Sequence, residues 1–304
     1  MANFRGRPKG WVPDPPKIED YTRTTAKVAK LLEKTKMGKA ASSPRASSTP
    51  VARGRAAAAA AAGLAAVPTV DLRQWCSPIV DQGRLGSCTA NAAAGLFEYF
   101  ENKSFSKFIP ASRLFTYKAT RDLLGLTGDT GASLRATMEA MALFGAPPEQ
   151  YWPYDVTQFD VEPSAFCYSF GANYQALSYF RLDPPGLSGQ DVLNNIKTFL
   201  SNGFPSMFGF PVYGEYENVG PDGKVAFPES TSTYYGGHAN CAVGYDDSMM
   251  IGADQGALLI RNSWGTNWGL QGYAWLSYRY ATDSLAVDWW STIQDRWIDT
   301  GAFS

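Results

Sequence analysis

The stretch Asp81–Phe97, DQGRLGSCTANAAAGLF, joins a glycine-rich turn to a run of small and apolar residues. The spacing of Ala and Phe after the turn predicts a helix over Cys88–Glu101. A cysteine at a helix start lies where backbone N–H groups and the helix dipole favour an anion, so we expect the pKa of the Cys88 thiol to fall. An isolated cysteine more often packs as a small hydrophobe. A role as nucleophile therefore requires partners elsewhere in the chain.

Gln82 lies six residues before Cys88 in the same stretch. Its side-chain amide could reach the position that the backbone N–H of Cys88 faces, and the two donors would then form an oxyanion hole. Without such partners Gln82 is an ordinary loop residue.

The chain has one histidine, His238, within Tyr234–Asp247, YYGGHANCAVGYDD. A lone histidine is more often structural than catalytic. Here Gly236 and Gly237 leave the preceding backbone open to a ligand, and any imidazole chemistry must fall to this residue. Cys88 and His238 are therefore candidates for a nucleophile and its base.

A third stretch, Leu258–Trp275, LLIRNSWGTNWGLQGYAW, places two tryptophans in a glycine-rich loop after a predicted strand. The side-chain oxygen of Asn262 could accept the Nδ1–H of His238 and so fix the tautomer and orientation of the ring. Trp264 and Trp268 could keep water from that bond, although core packing is the default role of aromatic side chains.

Taken together and in this order, the motifs QGxxGSC, GGHA and NSWGxxWG resemble the papain-like cysteine peptidases, in wording most of all their bacterial members. The resemblance runs from about Val67 to about Tyr278, and the separation of 150 residues between the cysteine and the histidine fits the family. The roles that it implies are oxyanion-hole glutamine for Gln82, nucleophile for Cys88, base for His238, orienting residue for Asn262 and shielding tryptophan for Trp264.

The resemblance also implies where a substrate binds. The residues expected to contact it are Gly131, Ala132, Leu134, Gly209, Gly236, Gly237 and Trp264. The first two would pair with the peptide backbone, and Leu134, Gly209 and Gly236 would lie near the pocket for the second residue before the scissile bond. The two glycines indicate a roomy apolar pocket.

The chain departs from the family at its cysteines. Most members carry a disulfide between positions that are Leu85 and Asp129 here, so neither half of that bridge is present. Cys76 and Cys167 stay open as an alternative bridge, and Cys241 is expected to be buried in a strand. With no CxxC pair and a single histidine, we expect no metal and no organic cofactor.

Charge divides the chain unevenly. Residues 1–65 carry 13 Lys and Arg against 4 Asp and Glu, whereas the remainder carries 14 against 24. Such a tail either meets an external anion or lies on its own acidic body. We expect residues 1–34 to cross the cleft as an intramolecular inhibitor, with Trp11 and Tyr21 as anchors. A disordered extension without regulatory role is the alternative, and nucleic-acid binding is disfavoured because the basic residues are scattered.

The chain divides at residue 66 by composition. Residues 1–66 are interpreted as a basic pro-like segment, with a helix-compatible stretch at Tyr21–Lys34 and a mobile Ala/Ser/Pro-rich linker from residue 35. Residues 67–180 form a predicted helical part that carries the cysteine. Residues 181–304 form a strand-rich part that carries the histidine and asparagine. This order predicts the α+β class.

The resemblance implies a papain-like two-domain fold, with the active-site cleft between a helical left domain and a β-barrel-like right domain. The predicted helices are Cys88–Glu101, Ala132–Phe144 and Gln190–Ser201. The predicted strands are Ser206–Pro211, Ala239–Tyr245, Ala257–Asn262 and Gly272–Ser277, with a hairpin over Asp246–Gln255.

The expected function is a cysteine endopeptidase that acts on peptides or proteins through a thiolate–imidazolium pair of Cys88 and His238. Two alternatives stay open, a non-hydrolytic peptide-binding homologue and a transferase that uses the same thioester chemistry. No stretch is long and apolar enough for a membrane span, and no secretory signal is visible. We therefore expect a cytoplasmic protein or one exported by a non-Sec route.

Overall fold

A computed structural model describes residue 7 and residues 9–37, 67–174 and 178–304 of the 304-residue chain. The linker predicted from residue 35 to residue 66 lies almost wholly outside the described residues. The α-helices are α1 (Ala26–Glu33), α2 (Cys88–Phe105), α3 (Arg113–Leu123), α4 (Leu134–Phe144), α5 (Ala165–Gly171), α6 (Gly189–Ser201), α7 (Gly214–Glu217), α8 (Arg279–Thr282) and α9 (Asp295–Ile298). The strands are β1 (Thr69–Asp71), β2 (Ser178–Arg181), β3 (Ser206–Tyr213), β4 (Lys224–Val225), β5 (Tyr234–Ile251), β6 (Asp254–Arg261), β7 (Tyr273–Ser277) and β8 (Val287–Ile293).

The central helix α2 confirms the predicted helix and continues to Phe105. It is buried from Cys88 to Glu101, because small residues such as Ala93 and Ala94 let α3 and β5 pack closely against it. A stacked pair, Phe100 on Trp297 with ring centres 4.6 Å apart, joins the end of the chain to this helix. The cysteine is therefore carried by a helix that is buried along most of its length.

The other two predicted helices are present with shifted starts. α4 begins at Leu134 rather than Ala132, because the Ser133 hydroxyl accepts a hydrogen bond from the N–H of Ala136 and caps the helix. α6 begins one residue earlier than predicted, after a capping box formed by Ser188 and Asp191.

The described strands form one mostly antiparallel sheet in the order β2-β8-β3-β5-β6-β7-β4, with β1 paired to β5. The pair β4 with β7 is parallel. The hairpin predicted over Asp246–Gln255 is the end of a longer one formed by β5 and β6. The α+β class is confirmed, but the described strands do not close into a barrel, because β2 and β4 lie at opposite ends of the order. Thr22 bridges to Arg181, so the N-terminal segment covers the β2 edge.

The boundary predicted between residues 180 and 181 falls inside β2. β1 also lies in the part predicted to be helical and pairs with β5 of the other part. The division into two domains stays a prediction.

The helix α1 belongs to the folded body of the protein. Val28, Leu31 and Leu32 are buried in the main core, where α1 packs against β2. The N–H of Lys36 donates to the carbonyl of Phe303 at 2.8 Å. Removal of α1 would therefore expose core side chains, and the interpretation of residues 1–66 as a pro-like segment stays a prediction.

All four cysteines are free. The alternative bridge between Cys76 and Cys167 is not formed, because Cys76 packs against the main core and Cys167 lies in a separate cluster with Phe115 and Ala140. Cys241 is buried as predicted. None of the helices described here is long and apolar enough to cross a bilayer.

Candidate active site

Cys88 is the first residue of α2 and is fully buried. Burial raises the pKa of its thiol to about 11, although backbone hydrogen bonds from Gly10, Ala239 and Thr89 act in the opposite direction. The predicted fall in the thiol pKa is wrong for this state of the protein. The helix N-terminus favours the thiolate, but the exclusion of water outweighs that effect.

His238 lies in β5 and is also fully buried. Its Nε2 is 2.9 Å from Oδ1 of Asn262, which also accepts the N–H of Ser263 at 2.8 Å. The prediction that Nδ1 makes this bond is therefore wrong. Because an amide oxygen only accepts, Nε2 carries the proton. Nδ1 is buried with no hydrogen-bond partner among the described residues, and in the neutral ring it can accept a proton.

Burial is the main reason that the pKa of the His238 imidazole falls to about 3. The hydrogen bond to Asn262 opposes this fall, and the charges of Lys9 and Arg7 contribute to it. The Cys88 thiol and the imidazole are therefore both neutral in this state. An ion pair between them requires that water return to the site.

The two tryptophans close the site beside the histidine. Trp264 and Trp268 are fully buried, and the Trp264 ring centre lies 4.8 Å from that of His238. The indole N–H of Trp268 donates to the carbonyl of Tyr216 at 3.3 Å. The arrangement covers the bond between the histidine and the asparagine.

Gln82 links the turn before the cysteine to the loop after β6. Its side-chain nitrogen donates to the carbonyl of Leu85 at 2.9 Å, and its side-chain oxygen accepts the hydroxyl of Ser263 at 2.7 Å. Its backbone N–H donates to the carbonyl of Ser263 at 2.8 Å. The amide group keeps one N–H beyond the bond to Leu85.

Sequence reasoning missed Arg261, the buried residue directly before Asn262. Its guanidinium donates to the carbonyl of Pro78 at 2.8 Å and to the hydroxyl of Ser77 at 3.0 Å. It lies against Gly95 of α2, where an added Cβ would come within 2.2 Å of the guanidinium nitrogen. Arg261 therefore holds the end of β6 against the helix that carries the cysteine. An arginine directly after the apolar run Ala257–Ile260 was the available signal.

The N-terminal segment runs through the cleft. The N–H of Ala132 donates to the carbonyl of Gly10 at 2.7 Å, and the N–H of Val12 donates to the carbonyl of Ala132 at 3.0 Å. The N–H of Trp11 donates to the carbonyl of Gly237 at 3.1 Å. Residues predicted to bind substrate backbone thus bind the chain's own segment.

The close approach to the cysteine depends on glycine at position 10. A Cβ on Gly10 would lie 1.6 Å from the carbonyl oxygen of Gly86. On the other side, a Cβ on Gly131 would lie 2.3 Å from the carbonyl oxygen of Gly10. Any other residue at position 10 would push the segment away from Cys88.

Trp11 fills the pocket predicted to take a substrate side chain. It is 7% exposed, and a Cβ on Gly209 would come within 2.0 Å of its indole. Its indole N–H donates to Oδ2 of Asp288 at 3.1 Å. Leu134 is buried in the same core cluster, whereas Gly236 lies against Lys9 instead. The pocket predicted to be apolar therefore also contains a carboxylate, which sequence reasoning missed.

Two buried arginines hold the next part of the segment. Nε of Arg135 lies 2.7 Å from Asp20, and a further guanidinium nitrogen donates to the carbonyl of Pro15 at 2.9 Å. The backbone N–H of Arg181 donates to the carbonyl of Tyr21 at 2.7 Å. Burial alone would raise the pKa of Asp20, but hydrogen bonding from Arg135 holds it below its ordinary value. Trp11 anchors the segment by its buried side chain, whereas Tyr21 does so by its backbone and by a partly exposed ring whose centre lies 6.0 Å from that of Tyr179.

The described residues contain no cluster of His, Cys, Asp and Glu suited to hold a metal ion. What they do contain is a cysteine at a helix start packed against a sheet that carries a histidine–asparagine pair. This is the architecture of a cysteine peptidase hydrolase. Residues 66–285 match the papain family of cysteine proteases, and the chain belongs to that family.

Curated relatives agree with this assignment. The chain is 36% identical over 218 residues to an uncharacterized peptidase C1-like protein of Acanthamoeba polyphaga mimivirus, covering 69% of this chain and 68% of that protein. It is 24% identical over 208 residues to cathepsin J of Mus musculus, covering 67% of this chain and 59% of the cathepsin.

Among solved structures, the chain is similar to xylellain, a cysteine protease from Xylella fastidiosa, with a TM-score of 0.69 and 29% identity. That likeness covers 96% of this chain and 98% of xylellain. Digestive procathepsin L 3 of the Tenebrio molitor larval midgut shares the fold, with a TM-score of 0.59 and 19% identity over 75% of this chain and 70% of that one.

Proposed function

We propose that the chain hydrolyses peptide bonds with Cys88 as nucleophile and His238 as general base and acid, and that its own N-terminal segment inhibits it in cis. The observation that carries this proposal is the position of Gly10, whose carbonyl accepts the N–H of Ala132 at 2.7 Å and whose backbone packs directly against Gly86, two residues before Cys88. A substrate and the segment cannot occupy that position together.

The chemistry begins once the segment leaves the cleft. Water re-enters, and the proton of the Cys88 thiol moves to Nδ1 of His238. The thiolate attacks the substrate carbonyl carbon, and the resulting oxyanion accepts hydrogen bonds from the backbone N–H of Cys88 and the remaining amide N–H of Gln82. The imidazolium then donates its proton to the leaving amine, and water hydrolyses the thioester with the imidazole as base.

Asn262 supports this proton transfer by holding the opposite side of the ring. Its oxygen accepts the Nε2–H of His238, so Nδ1 is left as the acceptor in the neutral ring. Trp264, which lies against the imidazole, keeps water from that bond. The histidine therefore stays in one tautomer and one orientation.

Inhibition by the segment follows from burial as well as from blocking. The segment excludes water from Cys88 and His238, and both groups become neutral. Trp11 fills the adjoining pocket and binds Asp288, so release must break this contact and the backbone bonds together. A substrate has to displace the whole set.

The test measures hydrolysis of a fluorogenic peptide with a hydrophobic residue followed by Arg, near pH 6. Deletion of residues 1–66 is not a clean test, because α1 forms part of the core. We therefore use the full chain, the variant Trp11→Ala, the double variant Trp11→Ala with Cys88→Ala, and a control, Ile18→Ala, whose side chain is 95% exposed in the same segment.

We expect Trp11→Ala to hydrolyse the peptide at least about tenfold faster than the full chain, because loss of a buried tryptophan costs about 3 kcal/mol of docking free energy. The double variant should be inactive and Ile18→Ala unchanged. Full activity of the unaltered chain would contradict the inhibitory role. Turnover by the double variant would contradict the role of Cys88.

Products are analysed by mass with a competing amine present, since an amine adduct would show transfer instead of hydrolysis.

A further inference from the structure

Lys9 of the N-terminal segment places its ammonium group in a closed site beside the histidine. Its Nζ forms an ion pair with Glu217, and the Lys9 and Glu217 side chains are only 4% and 0% exposed. The same Nζ lies 4.6 Å from the centre of the Trp264 ring. A carboxylate and an aromatic face thus enclose one cation.

Glu217 depends on this cation. It is the last residue of α7, and its Oε1 accepts the bond from Lys9. Its Oε2 is buried with no hydrogen-bond partner among the described residues. A buried carboxylate that loses its counter-ion is costly, so this site favours a cation whenever it is closed. The cation that fills it here belongs to the segment proposed to leave the cleft.

The position of the site relative to Cys88 follows from the course of the segment. The backbone of Gly10 packs against Gly86, two residues before Cys88, and Lys9 precedes Gly10 in the segment whereas Trp11 follows it. Trp11 lies in the pocket expected to receive residues before the scissile bond. Lys9, against Trp264, therefore lies on the opposite side of the sulfur, where the leaving part of a substrate would bind.

We propose that Glu217 and Trp264 form a subsite for a lysine or arginine side chain directly after the scissile bond. This inference rests on the proposed peptidase function, because it names the substrate class of the same cleft. Glu217 determines specificity and does not act on the reacting atoms. A substrate cation restores the ion pair and lies over the indole face, whereas a neutral side chain of similar length leaves the carboxylate without its partner.

The kinetic test compares two peptides that differ only in Lys or Gln after the cleaved bond. The enzyme is the full chain carrying Trp11→Ala, alone or with Glu217→Gln. The readout is the ratio of kcat/KM for the two peptides. This ratio does not depend on how often the segment vacates the cleft, which matters because Glu217→Gln also removes the partner of Lys9.

We expect a ratio of at least about ten for Trp11→Ala, equivalent to about 1.4 kcal/mol, and a ratio near one when Glu217→Gln is added. The matched control is Glu215→Gln, an acidic residue of the same helix that binds Ser232 and not Lys9. It should retain the preference. A ratio near one with Glu217 present, or a preference that survives Glu217→Gln, overturns the subsite.

A binding measurement separates this inference from the peptidase proposal. The same two peptides, fluorescently labelled, are titrated into Trp11→Ala with Cys88→Ala and followed by anisotropy. Tighter binding of the Lys peptide, if Glu217→Gln abolishes it, supports the subsite. This holds even if no peptide is ever hydrolysed, and in that case only the peptidase proposal fails. Equal binding of the two peptides overturns the subsite even if hydrolysis is rapid.

Discussion

At His238, one hydrogen bond decides which ring nitrogen can act. Asn262 takes Nε2 and leaves Nδ1 as the acceptor, so the asparagine positions the ring without touching a substrate. We predict that Asn262→Ala in the Trp11→Ala chain lowers kcat about tenfold, because a hydrogen bond of this kind contributes about 1.5 kcal/mol. KM should change little. The measurement is steady-state hydrolysis, and an unchanged kcat would show that Asn262 does not position the ring.

The high pKa of the Cys88 thiol predicts how its ionisation depends on pH. With the cleft occupied its pKa is about 11, so it should remain protonated from pH 5 to pH 9. Thiolate absorbance near 240 nm, taken as the difference between the full chain and Cys88→Ala, should therefore rise only as the pH approaches 11. In Trp11→Ala the transition should move to lower pH, because water returns to the site. A thiolate signal at pH 6 in the unaltered chain would contradict the occluded state.

At the scale of elements, the site depends on the contact between α2 and the end of β6. Arg261 occupies the space that Gly95 leaves on the helix, and its bonds to Ser77 and Pro78 fix the strand end that precedes Asn262. This contact therefore sets the position of Asn262 relative to the helix that begins at Cys88.

We predict that Gly95→Ala destabilises the protein by about 2 kcal/mol, because a Cβ would come within 2.2 Å of the buried guanidinium. The expected result is a lower Tm in thermal unfolding and weaker hydrolysis in the Trp11→Ala chain. Ala94→Gly, one residue earlier on the same helix, is the control for helix propensity and should cost about 1 kcal/mol. Equal Tm values for Gly95→Ala and the unaltered chain would show that the helix and strand do not need this close approach.

Elements with a regular apolar pattern or with turn residues at their ends were predictable from sequence, and elements without such a signal were not. The apolar spacing after Cys88 predicts α2, and the turn residues around Gly252 predict the hairpin of β5 and β6. α3 and β8 were missed. α3 mixes buried charged and apolar residues, and β8 is buried on both faces through neighbours that come from distant parts of the chain. Such packing leaves no periodic pattern.

At the scale of the whole molecule, the N-terminal segment is held by charges of both signs. The basic Arg7 and Lys9 bind Asp81 and Glu217 of the body, as the charge division of the sequence suggested. Farther along, the polarity reverses, since acidic residues of the segment bind buried arginines of the body. Net charge could not predict these ion pairs of the acidic segment residues, because they depend on which residues meet in the folded protein.

The ion pair between Asp20 and Arg135 makes docking of the N-terminal segment depend on pH. When the segment is docked, the pKa of the Asp20 carboxyl lies below its ordinary value of 3.8. The ionised carboxylate therefore stabilises docking fully above pH 3.8, and this stabilisation is lost as the pH falls through the lowered pKa. We predict that reaction of Cys88 with 2,2′-dipyridyl disulfide accelerates below about pH 4 in the full chain. Asp20→Asn should react several-fold faster at pH 6 and lose most of this acid dependence. The reaction of Trp11→Ala serves as the reference for reagent effects, and matching pH profiles for all three chains would contradict the anchor.

The catalytic motifs could be located from sequence because each joins a reactive residue to small neighbours at a turn. Asp288, the carboxylate that binds the Trp11 indole, could not be located from the sequence, because it lies 200 positions after Cys88 and within no motif. The protonation states of Cys88 and His238 could not be predicted from the sequence either. A helix start alone favours a thiolate, and only the structure shows that the segment excludes the water that this charge requires.

The most direct test of the occluded cysteine is alkylation with iodoacetamide at pH 6, followed by peptide mass analysis. We expect Cys88 of the full chain to be labelled slowly. Cys88 of Trp11→Ala should be labelled at least about tenfold faster, in line with a loss of about 3 kcal/mol of docking free energy. Cys241, buried in β5, serves as the internal control and should remain unlabelled in both. Equal labelling of Cys88 in the two chains would show that the N-terminal segment does not close the site.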